Sequence, residues 1–457
     1  MNTAVTPTLV IAKFGGTSVA DYHAMCHSAD IVQANPQVKV VVLSASAGVT
    51  NLLVALAEGR EPEVRAQHIQ KIITIQQAIL AHLTDRSAAQ AYIDQLINNI
   101  TVLAEAASLA TSCALTDELV SHGELMSSYL FSEILKQRQA DAVWFDVRKV
   151  IRTDSTFGKA VPQIKEIKQL CCAHLKSLSE QQIVVTQGFI GSEHSGKTTT
   201  LGRGGSDYSA ALLGEALGAS QVDIWTDVAG IYTTDPRIVS NAKRIDEITF
   251  AEASEMATFG AKVLHPATLV PAVRSNIPVF VGSSKQPTAG GTLVYNAQHI
   301  TSALPLFRAL ALRRKQTLLT LHSLNMLHAQ GFLAKVFEIM ARHSISVDLV
   351  TTSEVSIAMT LDTTGTHTQG ASLLTTALLD ELSLLCHVQV EENLTLIALI
   401  GNQLTQTQGM TAKVFNTLAP FSIRLTCYGA STHNICFLVN SHDADEIVKQ
   451  LHAAIFE

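Results

Sequence analysis

The sequence lacks several features that would place it in a specialised class of protein. No apolar run approaches the roughly 20 residues of a membrane-spanning helix. The opening MNTAVTPTLVIAKFGG has no basic segment ahead of an apolar stretch, as a secretory signal would require. A net charge of −7 with 16% charged residues leaves no basic field for nucleic acid. We therefore expect a cytoplasmic protein with no membrane and no nucleic-acid partner.

Patterns for disulfides and metal sites are also missing. The seven cysteines are odd in number, scattered, and without C-x-x-C spacing, so we expect reduced structural thiols. The 17 histidines form no H-E-x-x-H pattern. The sequence therefore predicts no protein metal site.

What the chain does contain is an alternation of short β-rich runs with helical stretches over its first 300 residues. This alternation predicts an α/β fold in which helices flank a mainly parallel sheet. Several runs end in Gly, Ser, Thr or Asp, as expected where the carboxyl ends of strands form a ligand crevice. The predicted strands are Leu9–Phe14, Val38–Ser44, Ala142–Asp146, Gln182–Gly188, Gln221–Thr226 and Pro278–Gly282.

Two parts of the chain depart from this alternation. Residues 61–140 are rich in Ala, Leu, Ile and Gln, which predicts an all-helical insertion. After a change of pattern in 287–316, AKVF at Ala334–Phe337 returns 78 positions later at Ala412–Phe415. Each copy predicts a βαββα unit, with a further strand at His387–Val390. We expect domains at 1–300, 301–392 and 393–457.

One short motif suggests a nucleotide site and also argues against it. GSEHSGKT, at Gly191–Thr198, fits G-x-x-x-x-G-K-[ST] and follows an apolar run. A true P-loop needs a helix at its Lys, but TTTLGRGGSD follows Lys197 and is a poor helix start. We expect a hairpin-like turn here, and phosphate binding elsewhere.

The amino-terminal segment VIAKFGGTSVADYHAM is a better candidate for phosphate binding. A strand delivers Lys13, Gly15 and Gly16, and Thr17-Ser18 is predicted to cap a helix over 19–32. Glycines allow close approach of a phosphate, and a helix N-terminus favours negative charge. An ordinary strand-to-helix turn with an exposed lysine fits the same residues.

Polar strand ends and glycine loops supply further candidates. KVVVLSASAGVTN places hydroxyls after a buried strand, and FGAKVLHP places a lysine in a glycine-flanked turn. In LGRGGSDYSAALLGEAL glycines surround Arg203, whose planar fork suits a carboxylate, and Ser206 is predicted to cap a helix that starts at Asp207. VDIWTDVAGIYTTDPR offers a cradle for a nucleoside, and alternatively a turn built on Asp235-Pro236.

Taken together, KFGGTSVAD, VVLSASAGVTNLL, LVSHGELMS, TLGRGGSDYSA, WTDVAGIYTTDPR and FGAKVLHP resemble the aspartate kinases, of the lysine-sensitive kind. The resemblance covers nearly the whole chain. It implies an amino-acid kinase fold followed by two ferredoxin-like βαββαβ ACT domains. It also implies the reaction ATP + L-aspartate = 4-phospho-L-aspartate + ADP, with Mg²⁺ accompanying ATP, in a homodimer that forms a homotetramer when inhibited.

The resemblance also implies roles for individual residues. It assigns catalysis to Lys13, Lys262 and Asp207. It assigns ATP binding to Lys13, Phe14, Gly15, Gly16, Thr226, Asp227, Tyr232, Arg237, Lys262 and Val263. It assigns aspartate binding to Ser44, Thr50, Glu124, Arg203, Gly204, Gly205 and Ser206, with Glu124 taking the ammonium group and Arg203 a carboxylate.

The two repeats differ in charge at matched positions. Asp348 aligns with Thr426 and Glu354 with Thr432, so only the first copy has paired carboxylates near its strand ends. A cationic amino acid such as L-lysine would bind there, although two surface carboxylates at a hairpin would leave the same pattern. The residues predicted to bind L-lysine are Met326, Ala329, Leu333, Ser346, Val347, Asp348, Thr352, Ser353 and Glu354. Ala329 stands where related enzymes can carry Ser.

Two other functions remain as alternatives. A kinase of the same fold acting on N-acetylglutamate, glutamate or carbamate is disfavoured by the ACT-like repeats and by the helical insertion. A non-catalytic amino-acid sensor is disfavoured because Lys13 and Lys262 are both present. A fused homoserine dehydrogenase is not expected, because the chain ends soon after the second repeat.

Overall fold

The computed structural model describes residues 9–260, 264, 266–296, 305–327, 329–361 and 374–457. The chain divides into two compact units. The first comprises 1–231, 244–254 and 262–300, and the second comprises 232–243, 255–261 and 301–457. No helix in the described ranges is long and apolar enough to cross a bilayer.

The helices and strands are as follows. The helices are α1 Tyr22–Ala34, α2 Val49–Ala57, α3 Pro62–Leu80, α4 Ser87–Leu109, α5 Cys113–Gln137, α6 Ile164–His174, α7 Lys176–Gln181, α8 Gly205–Leu217, α9 Phe250–Thr258, α10 Pro266–Ser275, α11 Phe332–Arg342, α12 Thr376–Ser383, α13 Met410–Leu418 and α14 Ala444–Phe456. The strands are β1 Val10–Phe14, β2 Val38–Leu43, β3 Ala142–Trp144, β4 Ile183–Gln187, β5 Ile190–Ser192, β6 Thr198–Thr200, β7 Gln221–Thr226, β8 Ile231–Tyr232, β9 Arg244–Ile245, β10 Glu247–Thr249, β11 Val279–Ser283, β12 Gly291–Tyr295, β13 Phe307–His322, β14 Val347–Thr352, β15 Ser356–Leu361, β16 His387–Gly401, β17 Ile423–Tyr428 and β18 Asn434–Asn440.

The main sheet of the first unit has the strand order β10-β12-β11-β7-β1-β2-β4-β3 over the described residues. β1 pairs in parallel with both β2 and β7, and β2 pairs in parallel with β4. Strands buried on both faces are mostly apolar, which is why VIAKF and VKVVVL are hydrophobic apart from one lysine each. The predicted mainly parallel α/β sheet is confirmed, with β12 antiparallel to β11.

The stretch 61–140, where an all-helical insertion is predicted, contains only helices among its named elements. It consists of α3, α4 and α5, and it lies between β2 and β3 in the chain. α5 is almost wholly buried along its length, because it packs against α2, α4, β4 and β6. A long buried helix of this kind can hold polar side chains at fixed positions inside the first unit.

The second unit contains one antiparallel sheet with the order β14-β15-β13-β16-β18-β17. The two repeats occupy its two halves, each with its own hydrophobic cluster. Leu319 belongs to the cluster of the first copy, whereas Leu310 belongs to the cluster of the second. β13 and β16 pair along nearly their whole lengths and so contribute to both halves. The boundary between 392 and 393 stays a prediction.

Candidate active site

Three strand ends are joined by backbone hydrogen bonds at one edge of the main sheet. Gly15 N donates to Trp225 O over 3.1 Å, which ties the end of β1 to the end of β7. Ser44 N donates to Phe14 O over 3.2 Å, which ties β2 to β1 in the same way. Since parallel strands present their carboxyl ends together, three predicted segments meet at this edge.

The glycine at position 16 is required by close packing. A Cβ at Gly16 would lie 2.8 Å from Ala45 O, so a side chain would push the loops after β1 and β2 apart. Ala47 N donates to Gly16 O over 3.1 Å and completes the contact between the loops. This pairing keeps the backbone of 15–16 beside the cluster of hydroxyls that follows β2.

The helix predicted from residue 19 starts later, so that prediction was wrong in its capping residues. Gly16–Val19 form a 3₁₀ turn, and α1 begins at Tyr22 with Asp21 as its N-cap. The Asp21 carboxylate accepts from Ala24 N over 2.9 Å. Ser18 is not free to cap, because its hydroxyl is buried and lies 2.7 Å from Ser284 Oγ.

The motif GSEHSGKT is the turn of a hairpin, as predicted, because β5 and β6 pair in antiparallel fashion on either side of it. The Glu193 carboxylate accepts hydrogen bonds from Ser195 N and Lys197 N, both over 2.9 Å, and from the Ser195 hydroxyl. These bonds hold the pKa of Glu193 down to about 2. Lys197 is exposed, and a strand rather than a helix follows it.

The loop that carries Arg203 connects β6 to α8. The predicted cap at Ser206 was wrong: α8 begins at Gly205, and Gly204 is its N-cap at φ 72°, a left-handed conformation that favours glycine. A Cβ at Gly205 would lie 2.7 Å from the Phe189 ring, so this glycine is needed for packing. Arg203 is exposed at the tip of the loop.

A cavity of about 300 Å³ unites most of the predicted catalytic and aspartate-binding residues. Segments that are far apart in the chain contribute to it: β1, the loop after β2, α5 and the loop between β6 and α8. Its lining residues are Lys13, Ser44, Thr50, Glu124, Phe189, Gly202, Arg203, Gly204, Gly205, Ser206 and Asp207. The cavity carries two cationic and two anionic side chains, which suits a small zwitterion or an anion.

Glu124 is the most unusual of these side chains. It is 3% exposed, and one carboxylate oxygen accepts from Ala45 N over 3.1 Å. The other oxygen, Oε2, is buried without a hydrogen-bond partner among the described residues. Burial raises the pKa of Glu124 to about 8. An ammonium group that reached Oε2 would supply the missing donor and the missing positive charge.

Lys13 and Asp207 form an ion pair inside the same cavity. Lys13 Nζ lies 2.5 Å from Asp207 Oδ1, and the two side chains are only 10% and 15% exposed. Lys13 is the penultimate residue of β1, whereas Asp207 comes from the first turn of α8. The carboxylate therefore fixes the lysine ammonium beside the backbone of Gly15, whose Cβ would lie 3.6 Å from Nζ.

The predicted nucleotide residues belong to both compact units. Phe14, Gly15, Gly16, Thr226 and Asp227 lie at the joined ends of β1 and β7. Tyr232 and Arg237 belong to the segment 232–243 of the second unit, where Arg237 pairs with Asp235 over 2.6 Å. Lys262 and Val263 lie outside the described residues.

The residues predicted to bind lysine belong to the first repeat. Thr352, Ser353 and Glu354 are exposed at the turn from β14 to β15, and Leu333 is 40% exposed on α11. Asp348, on β14, forms an ion pair with Arg313 of β13 over 2.6 Å. The others are Met326, Ala329, Ser346 and Val347, which are half-buried or exposed.

Sequence reasoning missed three residues around these sites. Phe189 lines the cavity in a left-handed conformation, φ 70°, which no local pattern predicts. Gly202 is predicted only as one of the glycines around Arg203, and the structure adds it to the lining of the cavity. Arg313 lies 35 positions before Asp348, and a charged pair across two strands has no sequence signal without the sheet register.

Comparison with known proteins agrees with this fold. The model of the amino acid kinase family matches residues 8–283, and a model of the ACT domain matches residues 397–455. Lysine-sensitive aspartokinase 3 of Escherichia coli strain K12 is 66% identical over 98% of this chain and 99% of its own length. The chain belongs to the aspartokinases. A chloroplastic aspartokinase 3 of Arabidopsis thaliana is 35% identical over 98% of this chain and 81% of its own length.

Solved aspartokinase structures share the fold over the same extent. The structure of E. coli aspartokinase III in complex with aspartate and ADP, described as the R-state, has a TM-score of 0.90 and 65% identity. The structure of that enzyme with lysine and aspartate, described as the T-state, has a TM-score of 0.84. Each alignment covers 98% of this chain and 100% of the other. The aspartokinase fold and the family are therefore shown for the whole chain.

Proposed function

We propose that this aspartokinase transfers the γ-phosphoryl group of MgATP to the β-carboxylate of L-aspartate in the cavity around Glu124. The observation that carries the proposal is the arrangement of charges in that cavity. A buried carboxylate with one unpaired oxygen, a lysine and an arginine line one space of about 300 Å³. The product would be 4-phospho-L-aspartate, the first intermediate toward lysine, threonine and methionine.

The α-ammonium and α-carboxylate groups of the substrate would pair with the charges of Glu124 and Arg203. The α-ammonium group would bind Glu124, and its positive charge would return the pKa of that carboxyl toward its usual range. The α-carboxylate would bind Arg203, whose guanidinium can donate two parallel hydrogen bonds. Ser44, Thr50 and the backbone of Gly204, Gly205 and Ser206 would complete the aspartate site.

The remaining step needs no general base, because the β-carboxylate is already ionised near neutral pH. Catalysis then consists of holding two anions in line and stabilising the charge that spreads over the transferred phosphoryl group. Lys13 would donate to that group, and Asp207 would keep the Lys13 ammonium in place. Lys262 is proposed as a second lysine at the transferred group.

ATP would bind where β1 and β7 end. Phe14, Gly15 and Gly16, at the end of β1 beside Lys13, would contact the phosphates, with Thr226 and Asp227 on the adjoining strand. Tyr232, Arg237 and Val263 are proposed to contact the nucleotide as well. Mg²⁺ would enter with ATP as part of the substrate, which suits an ion that binds mainly through phosphates and water.

L-Lysine is proposed as the allosteric inhibitor, bound at the first repeat. Asp348 and Glu354 are the carboxylates there, whereas the second repeat has Thr426 and Thr432. The relative from E. coli is named lysine-sensitive, and it has been solved with lysine. L-Lysine should inhibit the kinase activity, and inhibition by threonine alone would contradict this assignment.

A homodimer in the cytoplasm is proposed for the working protein, with a homotetramer under inhibition. Leu333, Phe337 and Val350 are each at least 38% exposed on the first repeat. Exposed apolar side chains of this size support association of subunits. Sedimentation velocity with and without lysine would measure both states, and a monomer at micromolar concentration would contradict the proposal.

The decisive experiment is a coupled assay of ADP release. The protein is expected to release ADP with L-aspartate and MgATP, and to form a product that hydroxylamine traps as an aspartyl hydroxamate. N-acetylglutamate and glutamate serve as matched alternative acceptors. Turnover with either of these and none with aspartate would make it a different carboxylate kinase, and no turnover at all would make it a sensor.

A further inference from the structure

A second buried carboxylate on α5, Asp117, lies outside the residues assigned to substrates. It is 1% exposed and accepts three hydrogen bonds. Its Oδ2 accepts from Gly158 N over 2.8 Å and from Thr200 N over 2.9 Å, and its Oδ1 accepts from the Thr200 hydroxyl over 2.8 Å. Thr200 directly precedes the loop that lines the aspartate cavity, and Gly158 lies next to Gly202 of that loop.

Thr200 is the last residue of β6, directly ahead of the loop that presents Arg203. Both of its backbone groups are engaged: its N–H by Asp117, and its carbonyl by Ala160 N over 2.8 Å. The loop around Gly158 supports the Arg203 loop from the other side, because a Cβ at Gly202 would lie 3.4 Å from Gly158 O. Asp117 thus binds the two segments that bracket the Arg203 loop.

Asp117 and Glu124 lie on the same helix, seven residues apart, which is two turns and therefore the same side. α5 thus carries Glu124, the proposed partner of the substrate ammonium. The same helix carries Asp117, which holds the loop of Arg203, the proposed partner of the substrate carboxylate. Its position determines how far apart these two charges stand. A backbone N–H that lost its buried acceptor would favour a different loop conformation.

We propose that Asp117 is a positioning residue for aspartate: it holds the β6–α8 loop so that Arg203 stands at a set distance from Glu124. The inference rests on the proposed binding of aspartate by Arg203 and Glu124. It goes beyond that proposal, because Asp117 is not among the residues that line the cavity. Its removal should therefore weaken aspartate binding and leave ATP binding intact.

The test compares Asp117→Ala, Asp117→Asn and Thr200→Val with the parent enzyme, using full steady-state kinetics in both substrates. Asp117→Ala should raise the KM for aspartate by about tenfold or more, because it removes all three buried hydrogen bonds that hold the two segments. The KM for ATP should change less than about twofold. Thr200→Val removes only the hydroxyl contact and should give a smaller rise of the same kind.

Asp117→Asn provides the rescue arm. Its amide oxygen can accept from both backbone N–H groups while its amide nitrogen donates to the Thr200 hydroxyl, so the KM for aspartate should return to within about threefold of the parent value. Glu118→Ala is the matched control, since Glu118 is the adjacent acidic residue of α5 and accepts none of these three hydrogen bonds. It should leave both KM values unchanged.

Three outcomes would overturn the inference: equal changes in both KM values, no rise in the KM for aspartate, or an Asp117→Asn variant that behaves like Asp117→Ala. If Asp117→Ala fails to fold, Thr200→Val and Asp117→Asn still decide the question. An inactive parent enzyme would instead contradict the proposed function, so the two failures are distinguishable.

Discussion

At the scale of single residues, the elevated pKa of Glu124 makes a prediction about pH. In the free enzyme this carboxyl has a pKa of about 8, yet the substrate ammonium binds its ionised form. Since kcat/KM reports the free enzyme, kcat/KM for aspartate should rise with pH up to about 8 and then level off. A flat profile between pH 6.5 and 8 would contradict the role of Glu124.

The Glu124→Gln variant serves as the control for this profile and adds a stability measurement. Between pH 4.5, the ordinary pKa of this carboxyl, and about pH 8, Glu124 keeps a proton in the folded state that it releases in the unfolded chain. The free energy of unfolding therefore falls as pH rises through that window. Glu124→Gln should lose most aspartate affinity and the pH-dependent rise in kcat/KM, and it should melt at a higher temperature than the parent at pH 8.

Variants of Lys13 and Lys197 distinguish between the two segments whose sequence motifs suggest phosphate binding. Lys13 is buried beside Gly15 and Asp207, whereas Lys197 is exposed at a hairpin turn. Lys13→Ala should lower kcat by about 10²-fold or more, because it removes a preorganised positive charge at the transferred group. Lysine binding, measured by calorimetry, should survive.

The matched variant Lys197→Ala should leave kcat and both KM values within about twofold of the parent. A loss comparable to that of Lys13→Ala would mean that the hairpin, and not the end of β1, holds the phosphates. Loss of both turnover and lysine binding in Lys13→Ala would indicate misfolding instead.

At the scale of elements, Gly123 allows α5 to approach the loop after β2. A Cβ at this position would lie 2.7 Å from Ala45 Cβ and 3.3 Å from Leu53 Cδ1. Alanine favours a helix by about 1 kcal/mol over glycine, but overpacking a core costs about 1–3 kcal/mol. The clash should win, so Gly123→Ala should lower the melting temperature and raise the KM for aspartate.

A double-mutant cycle with Ala45→Gly tests the cause of that effect. Removing the Ala45 methyl group removes the closest contact of the new Cβ at position 123. The backbone N–H of residue 45 remains and can still donate to Glu124. The double variant should therefore recover much of the aspartate affinity lost in Gly123→Ala. Additive losses in the cycle would show that the two positions do not compete for the same space.

At the scale of the whole molecule, the two repeats form a matched pair for testing regulation. Asp348→Ala should raise the lysine concentration for half-inhibition by about tenfold or more, because a charge-assisted hydrogen bond contributes about 1.5–3 kcal/mol. Thr426→Ala alters the equivalent position of the second repeat and should leave it unchanged. Equal effects of the two variants would contradict lysine binding at the first repeat. Melting curves would report any loss of stability from removing the ion pair between Asp348 and Arg313.

Much of this organisation was determined by the sequence itself. β7 has the bounds that its pattern predicts, the helical insertion appears as α3 to α5, and the 78-residue repeat forms two halves of one sheet. Hydrophobic periodicity and glycine placement act between neighbours in the chain, so they can be read without a fold. The glycine-lysine motifs were likewise sufficient to place the chain in its family.

Only the tertiary structure decided how deeply Glu124 is buried, which N–H groups Asp117 accepts, and where α1 begins. Ser18 does not cap that helix because its hydroxyl meets Ser284, 266 positions away. Arg313 and Asp348 likewise meet through the pairing of β13, β14 and β15. Contacts of this kind depend on the packing of distant segments and on burial away from water, which set the pKa values and the hydrogen-bond partners. A linear pattern contains neither quantity.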